Sequence, residues 1–165
     1  SLLMEAARLN VEGQKFLAEN AKKAGIPVYV EAESARHHPE KLFEYAEVVI
    51  ASEDFIRGDG SLEDKVEGIL RMGPKVVIAT LGEEGSILRT DSEKIHKGIY
   101  MVRAVDTTGA GDAYIAGFIF GRLKGLDNSS CLALAAYVAA KKCEKIGTRE
   151  GLPYLRDIPN ELLKI

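Results

Sequence analysis

Apolar positions change their period repeatedly along this chain, and each change marks the edge of an element. Residues 4–24 hold Leu9, Phe16, Leu17 and Ala21 at helical spacing, with Lys and Glu between them and Gly25 as a closing C′ residue. "IPVYVEAE" then reads as a β-branched strand, "HPEKLFEYA" as a short helix and "VVIAS" as a buried strand. In "SLEDKVEGILRMG", Ser61 with Asp64 three residues on is a loose capping box, and Gly73 ends the helix. "KVVIATLG" is a second near-continuous apolar strand, the pattern of a parallel sheet covered on both faces. "SILRT" and "IHKGIYMV" predict antiparallel strands of a meander. Two helices follow, at residues 111–124 and 129–145, before a Gly/Pro-rich tail. The alternation of helix and strand predicts an α/β fold with a mostly parallel sheet flanked by helices.

The pattern opens on a helix with no strand before it, and the first residue is Ser, so the chain reads as one entered partway through a fold. Its 165 residues suit one α/β domain, 1–165, with a core of its own. No internal repeat or low-complexity tract interrupts it. Apolar residues at 46% and charged residues at 28% are the balance of a soluble globular protein. A net charge of −3 provides no basic excess to neutralise phosphates, which excludes nonspecific nucleic-acid binding. The longest apolar runs, 113–120 and 131–140, are too short to span a bilayer. Glu5 and Arg8 break any leader-like run, and Cys131 and Cys143, twelve apart on one helix, suit a reducing cytoplasm.

The run "VDTTGAGDAYIAGF", which opens the penultimate helix, carries the chemistry. A helix start leaves backbone N–H groups without intrahelical partners, and its dipole favours an anion there. Gly109, Ala110 and Gly111 leave room for a phosphate to reach those donors. Asp112 beside such a cradle repels an anion unless it has work to do. A carboxylate there can take a proton from an attacking hydroxyl while the amides hold charge on the phosphoryl oxygens. An N-capping aspartate after a tight glycine turn is the plainer reading of the same residues. The GxxxxGK[ST] phosphate loop is absent, and the dinucleotide fingerprint fails because position 114 is Tyr114 rather than glycine.

Two further stretches lie at carboxyl ends of strands, where open α/β sheets bind ligands. Thr80-Leu81-Gly82-Glu83-Glu84-Gly85 offers a hydroxyl and glycine backbone to a nucleotide, or is a simple turn. Ser52-Glu53-Asp54 offers carboxylates to Mg²⁺ through water, or is a helix cap with an acidic first turn. His37-His38 before Pro39 has no third metal ligand in view and reads as a solvated helix start.

In this order, the three stretches resemble the C-terminal half of the PfkB (ribokinase-like) carbohydrate kinases. "DTTGAGDAYIAGF" carries the likeness, supported by "TLGEEG", "AAKKCEKIG" and "GTREGLP". The resemblance implies a ribokinase-like fold and ATP-dependent phosphoryl transfer to a sugar-like hydroxyl. It implies Asp112 as the base, Gly109, Ala110 and Gly111 as the anion hole, and Thr80, Gly82, Gly85 and Gly147 around the nucleotide. Asp106 and Thr108 match positions that hold an activating monovalent cation such as K⁺. Where members carry Asn-x-x-Glu to organise Mg²⁺, this chain has Ala51 and Asp54, so only the carboxylate is kept. Tyr137 would border the adenine, although core packing explains it as well.

Members of this family are about twice as long, and their N-terminal half supplies the sugar-binding segments and the lid. The resemblance therefore implies that those parts are absent here and that the chain alone is weak or inactive, because water reaches an uncovered anion hole. Its partners would be ATP, a small sugar-like substrate, and either the missing half or another copy of the chain; nucleic acid and membrane are not among them. A nucleotide-binding module that no longer transfers phosphate shares the same fold and ligand. An intact Asp112 favours the kinase, since a decayed site gains nothing from a carboxylate beside an anion hole.

Overall fold

The computed structural model describes residues 1–5 and 11–163. Six strands form one sheet in the order β1-β2-β3-β4-β5-β6: Leu2–Glu5, Val28–Ala32, Val48–Ser52, Val76–Thr80, Ser86–Arg89 and Lys94–Lys97. The first four are parallel, with registers such as Leu2↔Val28, Tyr29↔Val48 and Val48↔Val76. β5 and β6 are joined by four residues with a Thr90 N–H to Glu93 carbonyl bond. A connection that short serves antiparallel neighbours. The result is the mostly parallel, helix-flanked α/β sheet that the pattern predicts.

The chain clusters into two compact units, Ser1–Gly82 with Ile87–Ile95, and Glu83–Ser86 with His96–Ile165. In the first, alternate residues of the central strands (Val28, Val30, Ala32, Val49, Ala51, Val77, Ala79) share a buried cluster with Leu42, Phe43, Val66, Ile69 and Leu70. The intervening residues Tyr29, Ile50 and Ile78 are buried too, so these strands are covered on both faces. Helices α1 (Val11–Lys23), α2 (Glu53–Ile56) and α3 (Leu62–Leu70) and a 3₁₀ segment at Pro39–Tyr45 complete this unit. Ser61 caps α3 as expected, accepting from the Asp64 N–H at 3.1 Å.

Three expectations are corrected. The chain does not open on a helix: Leu2–Glu5 pairs with β2, and residues with high helix propensity have become strand because a neighbouring edge offers backbone partners. On α1 the buried residues are Ala18 and Ala21, while Phe16 and Leu17 are 66% and 55% exposed. The small alanines let the helix approach the 3₁₀ segment closely; Leu9 lies outside the described residues. The second meander strand ends at Lys97, and residues 98–102 run on without strand structure.

In the second unit, α4 (Ala110–Leu123) and α5 (Asn128–Cys143) pack on each other, followed by the short α6 (Asn160–Leu163). Two glycines set their separation. A Cβ on Gly117 would stand 2.9 Å from Ala135 Cα, and one on Gly121 would stand 3.0 Å from Cys131 Sγ. Both cysteines are buried and free. No helix among the described residues is long and apolar enough to cross a membrane.

Candidate active site

Helices α2, α3 and α5 start in the ordinary way: Ser52, Ser61 and Asp127 accept from the N–H groups of Phe55, Asp64 and Ser130. Helix α4 differs. Its N-cap is Gly109, in the left-handed region at φ 77°, with no side chain to satisfy the first turn. Ala110 N–H turns back to the Thr107 carbonyl at 3.0 Å, while the N–H groups of Gly111 and Asp112 have no partner among the described residues. A Cβ on Gly111 would meet nothing within 4 Å. Two donors thus stand without partners at the positive end of a 14-residue helix.

Asp112 is not the N-cap that the plainer reading requires, because it lies two residues inside α4. Its carboxylate is exposed and makes no hydrogen bond among the described residues. A Cβ on Gly109 would lie 3.7 Å from Asp112 Oδ2 and 3.5 Å from the Thr148 side chain, so the start of α4 and the Thr148 loop meet at Gly109.

The loop before α4 is tied down by Asp106. Its Oδ1 accepts the Thr108 N–H and its Oδ2 the Gly147 N–H, both at 2.9 Å. The Val105 N–H donates to the Cys143 carbonyl at 2.8 Å. The Lys142 ammonium, fully buried, donates to the Asp106 carbonyl at 2.7 Å. The Thr108 N–H foremost, then the Gly147 N–H and the Thr108 hydroxyl, with a smaller pull from Lys142, lower the Asp106 carboxyl from 3.8 to about 2 against the opposing effect of burial. The carboxylate tie therefore stabilises the fold fully above the ordinary carboxyl pKa and is lost as pH falls through about 2. The stability difference between the wild type and Asp106→Asn is expected to be full at pH 5 and to shrink steadily between pH 4 and pH 2. Denaturant unfolding across that range checks it, and a difference independent of pH would sink the assignment.

Tyr114, one turn into α4, is buried and donates to Ser86 Oγ at 2.7 Å; burial pushes its phenol up to about 12. This bond anchors the first turns of α4 to the start of β5. In the sequence Tyr114 stands out only as a missing glycine, and nothing local marks Lys142 among its basic neighbours.

Of the other expected site residues, Gly147 and Gly85 are shaped by their own neighbours. A Cβ on Gly147 would overlap the Glu150 carboxylate, and one on Gly85 would overlap the Lys97 carbonyl. Thr80 and Gly82 belong to the first unit, at the carboxyl end of β4. Thr80 Oγ1 lies 3.5 Å from the Ala51 carbonyl, and a Cβ on Gly82 would lie 3.7 Å from Glu53 Oε2. Asp54 and Glu53 both face Arg57, at 3.6 Å and 2.9 Å. Ser52 works as the cap of α2. Among the described residues no three His, Cys, Asp or Glu side chains gather as a metal-ligand set. Mg²⁺ that arrives on phosphates and keeps its waters needs no such set, so Asp54 fits an outer contact only. His38 pairs with Glu40 at 3.0 Å, and Tyr137 is held by the Asp157 carbonyl at 3.0 Å and the Tyr100 ring.

Comparison with known proteins places the chain in a family. The chain is 45% identical over 87 residues to an uncharacterized sugar kinase of Archaeoglobus fulgidus, covering 53% of this chain and 35% of that one. It is 33% identical over 129 residues to the ATP-dependent 6-phosphofructokinase of Thermoanaerobacterium thermosaccharolyticum, covering 76% of this chain and 40% of the other. The structure of Arabidopsis thaliana ribokinase complexed with ribose and ATP superposes with a TM-score of 0.83 at 25% identity, over 99% of this chain and 55% of that one. The chain thus spans roughly a third to a half of the length of its relatives. Residues 6–155 match the pfkB family of carbohydrate kinases, and the chain belongs to that family.

Proposed function

We propose that residues 1–165 are the nucleotide-binding and catalytic portion of an ATP-dependent kinase that phosphorylates a hydroxyl of a sugar or sugar-like substrate. One observation carries this reading: two unpartnered N–H groups, on Gly111 and Asp112, open a helix beside an exposed carboxylate, where Gly111 has nothing within 4 Å of a Cβ. The names of the relatives, a 6-phosphofructokinase that is ATP-dependent and a ribokinase complexed with ribose and ATP, support the nucleotide and the acceptor class.

ATP with Mg²⁺ would supply the phosphoryl group and neutralise charge on its oxygens. Asp112 accepts the proton of the acceptor hydroxyl as that oxygen bonds to phosphorus and the bond to the departing diphosphate breaks. The Gly111 and Asp112 N–H groups hold the oxygens on which charge gathers, and Gly109 and Ala110 shape the turn that aims them. Asp106 fixes that turn through Thr108. Thr80 and Gly82 offer hydroxyl and backbone contacts to the nucleotide, with Gly85 and Gly147 shaping the loops around it. The two free buried thiols suit a reducing, cytoplasmic setting.

Calorimetric titration with Mg·ATP tests this reading. Saturable binding is expected for the wild-type chain and is expected to be lost in Gly111→Val. The added side chain meets no protein atom at its Cβ, so the variant should fold normally and fail only where phosphate must approach. A folded wild-type chain that does not bind Mg·ATP would overturn the proposal for this chain.

A further inference from the structure

The cation assignment at Asp106 and Thr108 meets a positive charge already in place. Lys142 is the one buried charged side chain among the described residues, with no exposed surface. Its Nζ donates to the Asp106 carbonyl at 2.7 Å and stands 4.0 Å from Asp106 Oδ1. Both carboxylate oxygens are also occupied, by the Thr108 and Gly147 N–H groups. The surrounding chain closes on the same lysine: a Cβ on Gly151 would overlap the Lys142 carbonyl. The Glu150 carboxylate, held by the Glu150 and Arg149 N–H groups, also feels the Lys142 charge. A dehydrated K⁺ needs several oxygens turned toward one point, and here the oxygens of Asp106 are turned toward N–H donors and an ammonium. An ammonium and K⁺ carry the same charge at nearly the same radius, so one can take the place of the other. An ammonium with no surface in water persists only where it is paired and hydrogen-bonded, as this one is.

We infer that the Lys142 ammonium is a tethered substitute for a monovalent cation, holding Asp106 and the turn into Gly109–Asp112 so that this chain needs no K⁺. The inference deepens the proposed kinase reading, with Lys142 as a positioning residue, but its test requires no nucleotide. The thermal midpoint of the 165-residue chain is measured in KCl and in tetramethylammonium chloride at equal ionic strength, for the wild type, Lys142→Ala and Lys142→Met. The wild type is expected to be indifferent to the choice of salt. Lys142→Ala, which removes the charge and opens room for an ion, is expected to melt earlier in tetramethylammonium. In KCl it should recover by about 4 °C or more. Lys142→Met, which removes the charge and fills the room, is expected to show no such recovery. A K⁺-specific stabilisation of the wild type would overturn the inference, as would a folded Lys142→Ala with the same midpoint in both salts. Should Lys142→Ala fail to fold in either salt, the wild-type comparison decides alone. Mg·ATP titration in the two salts separates the questions, because loss of nucleotide binding in both leaves the thermal result standing.

Discussion

Asp112→Asn is expected to slow phosphoryl transfer by about 10²–10⁴-fold, the range that a positioned general base contributes. The substitution preserves shape and removes the proton acceptor. Asp112 is exposed and bonds to no described residue, so its loss should move stability by no more than about 0.5 kcal/mol. Mg·ATP affinity should hold or rise, since a negative charge leaves the neighbourhood of the phosphates. The measurement is coupled ADP release with a panel of sugars, made with the chain joined to the additional length that its relatives have. Transfer within tenfold of the unsubstituted protein would remove Asp112 from the role of base. A fall in Mg·ATP affinity matching the fall in rate would instead make it a ligand of the nucleotide.

Gly109 needs glycine for its backbone, whereas the fold sets no such need at Gly111 and only the proposed function gives it one. Gly109 needs its positive φ to turn the chain into α4, whereas Gly111 has nothing within reach of a Cβ. At Gly85 and Gly147 the space is filled by the protein's own atoms. Substitution at those two would therefore report on loop folding, and under the proposed function substitution at Gly111 would report on the approach of a phosphate. Sequence alone cannot separate these cases, because a glycine that makes room for a ligand and one that makes room for a carbonyl look the same.

Long apolar runs such as VVIAS and KVVIATLG were legible because a strand covered on both faces leaves no polar positions to confuse the period. The run LLME was not, since its residues favour helix in isolation and only the edge of β2 makes them strand. Phe16 and Leu17 misled for a related reason: helical spacing identifies a face, but the packed face here is built from alanines. The helix start with its glycines and Asp112 was visible as local sequence. The lock behind it was not, because Asp106 and Lys142 are 36 residues apart and each looks ordinary until the α4–α5 packing brings them together.

The buried face of α4 is expected to set how rigidly Asp112 is presented, which Phe118→Ala measures. Phe118 is on α4 and fully buried, six residues after Asp112 and next to Gly117, whose missing side chain lets α5 come close. Removing the ring deletes its buried surface and leaves a cavity in a close-packed interior, so the loss should be about 3–5 kcal/mol. For a chain of this size that corresponds to a fall in thermal midpoint on the order of 6–20 °C. Nucleotide affinity in the fraction that remains folded should change far less, because Phe118 is fully buried and exposes no surface to a ligand. Thermal unfolding and Mg·ATP titration of the one variant give both numbers. A stability loss below about 1 kcal/mol would mean that α4 is not held by its buried face, and the rigid presentation of Asp112 would need another source.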